Sequence, residues 1–303
     1  MVLLCGCGKV PEKSDKINIV CTVFSEYDWV RQILGSHEND FEITYLLSNG
    51  SDMHSYQPTI DDIIKISSCD LFIYIGGESD KWTEEAVSQS QNKNIKTISL
   101  LESLGSSAKE EEIKEGMQGD IEEEAEYDEH IWLSLGNAET LCTAIAEEIY
   151  SLDPENKSDY QNNLSAYCEK LETLNTEYKE SLSEVTNKTL IFGDRFPFRY
   201  LVDDYGLDYY AVFSGCSAET DASFETITFL ADKIDELNVD TVFTIDGSDD
   251  KIAKAIISGT DGKNQKISRL DSIQSVTEKQ VQNGVTYISI MKSNLDILKE
   301  ALL

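Results

Sequence analysis

Basic residues are scarce in this chain. Lys and Arg number 25 against 57 Asp and Glu, a formal charge of −32 over 303 residues. Neutralising phosphates needs clustered Lys and Arg, so nucleic acid is excluded as a partner. The same deficit excludes binding an anionic bilayer through a basic face. Long apolar runs are missing too, and no later run reaches the length of a transmembrane helix. Beyond residue 7 the cysteines stand singly, at Cys21, Cys69, Cys142, Cys168 and Cys216, with no CxxC pair and no disulfide framework. No HExxH, GxSxG or P-loop pattern occurs. A hydrolase built on a metal would need an activated water and a general base, and nothing marks either, so no enzyme is read. Histidine is limited to His37, His54 and His130.

What is present is a solvated acidic surface over sizeable cores, since 40% of the residues are hydrophobic. An acidic field of this kind raises the local cation concentration. The chain opens Met1-Val2-Leu3-Leu4-Cys5-Gly6-Cys7, apolar, small and cysteine-containing. That resembles a bacterial lipobox, with Cys7 the better candidate for lipidation, although the apolar core is shorter than a secretory signal requires. The expectation is a truncated signal segment and a polar tether over residues 1–16.

From there strands alternate with helices. Residues 17–23, 41–47, 69–75 and 95–101 are apolar and rich in β-branched residues, as parallel strands buried on both faces are. Helical patterns at 24–35, 60–67 and 80–90 separate them, and a longer one at 137–150 follows. Strands alternating with helices predict a parallel α/β lobe over 17–153. Residues 109–129 interrupt it with eleven carboxylates and few apolar anchors. Such a block reads as a solvated loop, or as a weak cation-collecting one.

After Pro154, apolar residues recur at Tyr160, Leu164, Tyr167, Leu171, Leu174, Tyr178 and Leu182, spacings of four and three. One helix over 154–185 is predicted, on the order of 45–50 Å long at 1.5 Å per residue. It is poor in Gly and so reads as a rigid connector. Strands are then predicted at 189–193, 209–213, 241–246 and 266–270, with helices at 198–205, 223–237, 249–258 and 286–303, a second α/β lobe over 186–303. The cleft between the lobes is the default ligand site.

His54 lies in Asp52-Met53-His54-Ser55-Tyr56-Gln57-Pro58, between a predicted strand and a helix, the edge where ligands bind in open α/β sheets. His130 lies in a similar setting, Asp128-Glu129-His130-Ile131-Trp132-Leu133. These loops, with Ile73-Tyr74-Ile75-Gly76-Gly77-Glu78, Asp204-Tyr205-Gly206-Leu207, Leu270-Asp271-Ser272 and Gly284-Val285-Thr286-Tyr287, occur in an order that resembles the zinc- and manganese-binding lipoproteins of ABC transporters, the ZnuA/TroA/AdcA-like family. The resemblance runs from about residue 17 to 303. It implies two lobes joined by a backbone helix with a metal in the cleft, an extracytoplasmic, lipid-anchored, monomeric receptor, and delivery of the cation to a membrane permease. It implies His54 and His130 as ligands from the first lobe and Asp271 as the carboxylate ligand from the second. Zinc is favoured over manganese, since imidazole suits zinc, though two histidines and two carboxylates also accommodate manganese. An adhesin role is known among such lipoproteins, but no residue here speaks for it.

One position departs from the pattern. Where the family carries a third histidine, counting back from Asp204 reaches Arg195, which has no lone pair to offer a metal. A one-residue shift would bring in Asp194; water would fill a site with fewer side chains; or Arg195 pairs with Asp194 or Asp271 and alters the site. In the last case a divergent receptor would use Arg195 to bind an anionic or chelated ligand. Cys216 and Glu219 are weaker candidates for reaching the cleft.

Overall fold

The structure, a computed structural model, describes residues 16–118, 126–217 and 221–303. Cys7, Glu219 and the centre of the acidic block lie outside them. The first lobe is built on β1 (Ile17–Cys21), β2 (Phe41–Tyr45), β3 (Leu71–Tyr74) and β4 (Lys96–Ser99). All pair in parallel, in the order β2-β1-β3-β4. Helices α1 (Phe24–Leu34), α2 (Ile60–Ser68), α3 (Trp82–Ser88), α4 (Leu100–Leu104) and α5 (Leu135–Leu152) accompany it. Most of the starts are written locally. Thr59 caps α2 in a reciprocal box with Asp62, and Ser134 caps α5. Helix α4 was not expected: Leu100 and Leu101 read as the end of a strand, but Ser99 accepts from the Glu102 amide and turns the chain into a helix.

Helix α6 (Lys157–Ser183) follows a 3-10 turn begun by Pro154. Its 27 residues span about 40 Å. Every residue of the predicted stripe is buried except Leu164, which is partly so. The second lobe repeats the first: β5 (Thr189–Phe196), α7 (Arg199–Tyr205), β6 (Asp208–Ser214), α8 (Phe224–Leu237), β7 (Thr241–Ile245), α9 (Lys251–Gly259) and β8 (Lys266–Leu270), with strand order β6-β5-β7-β8. Two short-range features shape its edge. Strand β5 runs three residues past the predicted end. Between Phe192 and Arg195 it carries an irregularity, with two residues opposing one on β6. Such a bulge re-aims the side chains beyond it.

Two further helices, α10 (Glu278–Gln282) and α11 (Tyr287–Leu302), end the chain. α11 packs against α6, α1 and β8, so the last segment of the second lobe returns to the joint. One continuous core therefore runs from Ile19 through α6 to Leu298, and a smaller one lies under α8 and α9. Polar contacts cross the same joint. Tyr287 donates its hydroxyl to the Trp132 carbonyl at 2.6 Å, and Trp132 donates its indole N–H to the Ser272 carbonyl at 2.9 Å.

The acidic segment is not the free loop expected. Its described flanks are tied to the second lobe. Lys109 pairs with Asp203 at 2.6 Å, Lys114 with Asp208, and Arg199 with Glu112 at 3.2 Å. Gln118 bridges to the edge of β6 beside Phe213. Few apolar anchors are needed because the second lobe offers Asp203, Asp208 and Arg199 as ion-pair partners and the edge of β6.

Tyr287 is fully buried, and its hydroxyl serves a carbonyl at the joint. Tyr287→Phe should cost about 1–3 kcal/mol in urea unfolding, the penalty of a buried polar group losing its partner. A loss below a few tenths would show that the joint does not depend on this bond.

Candidate metal centre

The two lobes present their sheets' carboxyl ends to each other. His54 follows β2 on a 3-10 turn over Met53–Ser55, begun by Asp52, whose Oδ1 accepts from the His54 amide at 3.0 Å. His130 precedes another 3-10 turn, Ile131–Leu133, and is fully buried. The structure brings the two rings together with Nε2 facing Nε2 at 3.1 Å. Around zinc at 2.0–2.1 Å from each nitrogen, a tetrahedral edge is about 3.3 Å. The spacing is therefore that of two nitrogens sharing one ion.

The back of each ring is held. Asp128 Oδ1 lies 2.8 Å from His130 Nδ1 and also accepts from the His130 amide at 2.8 Å. An ionised carboxylate only accepts, so neutral His130 carries its proton on Nδ1 and turns the Nε2 lone pair toward His54. His54 Nδ1 meets Ser79 Oγ at 2.8 Å and Glu129 Oε2 at 3.5 Å. Burial, and then the adjacent His130, pushes the His54 pKa down to about 3. It is thus neutral well below the ordinary imidazole range near 6.5. Glu129 is pushed up to about 7, mainly by burial. Its Oε1 accepts from the Ser79 amide at 2.8 Å, while Oε2 has no hydrogen-bond partner. Gly77 sits at positive φ directly over this carboxylate, where a Cβ would collide with it.

The second lobe contributes differently from the resemblance. Among the described residues, the side chain whose ligand atom gathers with those of His54 and His130 is Cys216, all three lying within 4.8 Å of one another. Asp271 and Asp194 lie outside that group. Asp271 Oδ1 accepts from the Ile273 amide at 2.8 Å, closing its own turn. Its acid is raised to about 6 by burial and by Asp246. Asp194 Oδ1 accepts from the Arg195 amide at 2.9 Å. Asp194 lines a cavity of about 480 Å³ with Asp52, His54, Arg195, Asp246 and Asp249. His37, the third histidine, lies elsewhere, 2.9 Å from Asp159.

Arg195 resolves the open choice in a way not foreseen. Its partner is neither Asp194 nor Asp271. Its guanidinium pairs with Asp52 across the cleft and donates to the Ser217 carbonyl at 3.3 Å. Although burial alone would raise Asp52, Arg195 and His54 hold its pKa below the usual carboxylate range. Arg195 thus latches the turn that carries His54. Asp52 had been read only as part of that loop, and the bulge in β5 that aims Arg195 at it has no short-range signature. A double-mutant cycle on Asp52 and Arg195, read by urea unfolding, should give a coupling of about 1–3 kcal/mol. Additive effects within about 0.3 kcal/mol would show that the latch contributes nothing.

Comparison with known proteins gives this arrangement its relatives. Residues 19–301 match the family model described as "Zinc-uptake complex component A periplasmic". The chain is 28% identical to the high-affinity zinc uptake system protein ZnuA of Bacillus subtilis, over 98% of this chain and 91% of that one. It is 27% identical to the zinc-binding lipoprotein AdcA of Streptococcus pneumoniae, covering 99% of this chain but only 58% of AdcA, so it spans just over half of that relative. Among solved structures, the metal-dependent lipoprotein YcdH of Bacillus subtilis superposes with a TM-score of 0.78 at 26% identity, over 95% of this chain and all of that one. The Zn(II)-bound ZnuA-like domain of AdcA gives 0.74 at 26% identity, over 95% and 99% of the two chains. With a family model matched along nearly its whole length and two like-built lobes around one pair of histidines, the chain belongs to the ZnuA family of zinc-uptake solute-binding proteins.

Proposed function

We propose that this chain is the extracytoplasmic receptor of an ABC-type metal importer, capturing Zn²⁺ between its lobes and handing it to a membrane permease. The observation that carries the reading is the pair of buried imidazoles, nitrogen to nitrogen at 3.1 Å, with the His130 lone pair turned inward by Asp128. With its own proton displaced, His54 Nε2 would face the His130 lone pair with a second one, and two such nitrogens at this spacing suit a cation. Neutral imidazole favours zinc over manganese, which prefers oxygen. The remaining positions fall to the second lobe or to water, and neither Asp194 nor Asp271 is grouped with the two histidines. Lipidation of Cys7 would anchor the chain outside the membrane, in keeping with the lipoproteins among its relatives. One chain supplies both histidines, so a monomer suffices. The reading assigns no catalytic step.

Arg195 is engaged by Asp52 and Ser217, so an anionic ligand bound through this guanidinium would have to compete with Asp52, which weighs against that alternative. The acidic surface acts at longer range, enriching cations near the cleft.

Calorimetric titration of the metal-stripped chain should show one zinc per molecule. His54→Ala and His130→Ala should each weaken it by about 10²–10³-fold, the share of one ligand in a site worth about 10–16 kcal/mol. Unchanged affinity in both variants would sink the reading. Zinc at 1,000 times its Kd should also stabilise the wild type by about 4 kcal/mol, read as a shift of the unfolding midpoint.

A further inference from the structure

We propose that Cys216 is the third protein ligand, so that this site is a thiolate-containing one and its cargo belongs to the thiophilic cations, Zn²⁺ with Cd²⁺ and Co²⁺ as surrogates, against Mn²⁺. The inference rests on the zinc-binding reading and specifies its chemistry. Three observations carry it. The Sγ of Cys216 and one ring nitrogen each of His54 and His130 lie within 4.8 Å of one another. Zinc at about 2.0–2.1 Å from nitrogen and 2.3 Å from sulfur sets N–S edges of about 3.5 Å, so the trio closes on one ion with a shift of roughly an ångström. The expected carboxylates lie outside that group, and Oδ1 of each closes a local turn, Asp271 on the Ile273 amide and Asp194 on the Arg195 amide. And the segment bearing Cys216 is built against the histidines: Gly215 packs on the His130 ring, where a Cβ would come within 2.9 Å of Cε1.

The thiol is also held from the other lobe. The Cys216 amide donates to Glu111 Oε1 at 2.9 Å. Glu111 stands in the acidic segment that the second lobe ties down, so the segment acts here as a strap that positions the third ligand. Glu111 is a positioning residue, not a ligand. On binding, the Sγ–H bond breaks, the proton leaves to solvent, and the sulfur pair forms the bond to the metal, with no change of oxidation state. The positive ion cancels the surrounding carboxylates that otherwise keep a thiol protonated, which is how a metal deprotonates a cysteine it coordinates.

The arrangement also accounts for Arg195. An arginine at the place of a ligand is tolerable once another side chain supplies that bond, and its charge then serves the latch to Asp52. Sulfur for nitrogen keeps the site attractive to zinc and makes it poor for manganese, which gains little from thiolate.

The test is titration of the metal-stripped full chain with Co²⁺, followed by ultraviolet and visible absorption. Wild type should develop a near-ultraviolet thiolate-to-cobalt charge-transfer band together with tetrahedral visible bands. The charge-transfer band should vanish in Cys216→Ser and also in His54→Ala, because both belong to one site. Zinc affinity in Cys216→Ser should fall about 10²–10³-fold, with Mn²⁺ affinity unchanged within about threefold. Melting of the stripped Cys216→Ser and Cys216→Ala proteins checks that both fold. A charge-transfer band that survives Cys216→Ser comes from another thiol and overturns the inference. So does a wild-type cobalt complex without the band, or zinc affinity unchanged in the variant, while the histidine variants still lose zinc. Absence of zinc binding in the wild type overturns the receptor reading itself.

Discussion

The contact between Trp132 and Tyr287 is the constraint on which the cleft depends. Trp132 comes from the first lobe, and it is anchored by the Ser272 carbonyl and the Tyr287 hydroxyl of the second. Tyr287 in turn donates its amide to Asp28 and packs edge-on against Trp29. His130 stands two residues before Trp132, with its ring 5.4 Å away. The buried joint therefore sets the position of a metal-binding nitrogen. In a close-packed interior, such a joint deforms little, so His130 keeps its place beside His54 of the same lobe, facing the second.

Electrostatics then act on that frame at two ranges. The net charge works through space and concentrates cations. Close to the site, the few basic residues are placed individually. Lys109, Lys114 and Arg199 hold the acidic segment on the second lobe, and Arg195 holds the His54 turn. Buried Glu129 sits behind His54 with one oxygen unpartnered, and its acid is raised by that burial.

The site shows how a ligand can be exchanged while the frame is kept. Both lobes repeat one strand order, so each brings its sheet's carboxyl edge to the cleft. A side chain at any of several edge positions can reach the same point. A bulge in β5 turns Arg195 toward Asp52, and the turn after β6 brings Cys216 to the histidines. Specificity for the ion follows from which atoms arrive, and not from the sheets that carry them.

Periodicity and end signals in the chain made the two lobes and the connecting helix legible. Strands buried on both faces write themselves as β-branched runs, and the stripe from Tyr160 to Leu182 admits one helix. His54 and His130 stand out because so few histidines exist, His54 follows a strand-like run, and both lie in loops that resemble the family's ligand loops. Local pattern could not supply the partners. Helix α4 depends on one serine side chain turning a strand end, and the hold on the acidic segment depends on partners such as Asp203, 94 residues from Lys109. Asp52 and Arg195 are 143 residues apart and meet only because the lobes face each other. Cys216 is only a weaker candidate in the sequence, and it is the fold that sets neighbouring Gly215 against the His130 ring. The sequence by itself determined the secondary structure, the acidic field and the two imidazoles, because those are local or summed properties. The tertiary structure alone decided which side chains share a point in space, because convergence across a cleft is set by bulges, turns and the packing of the joint.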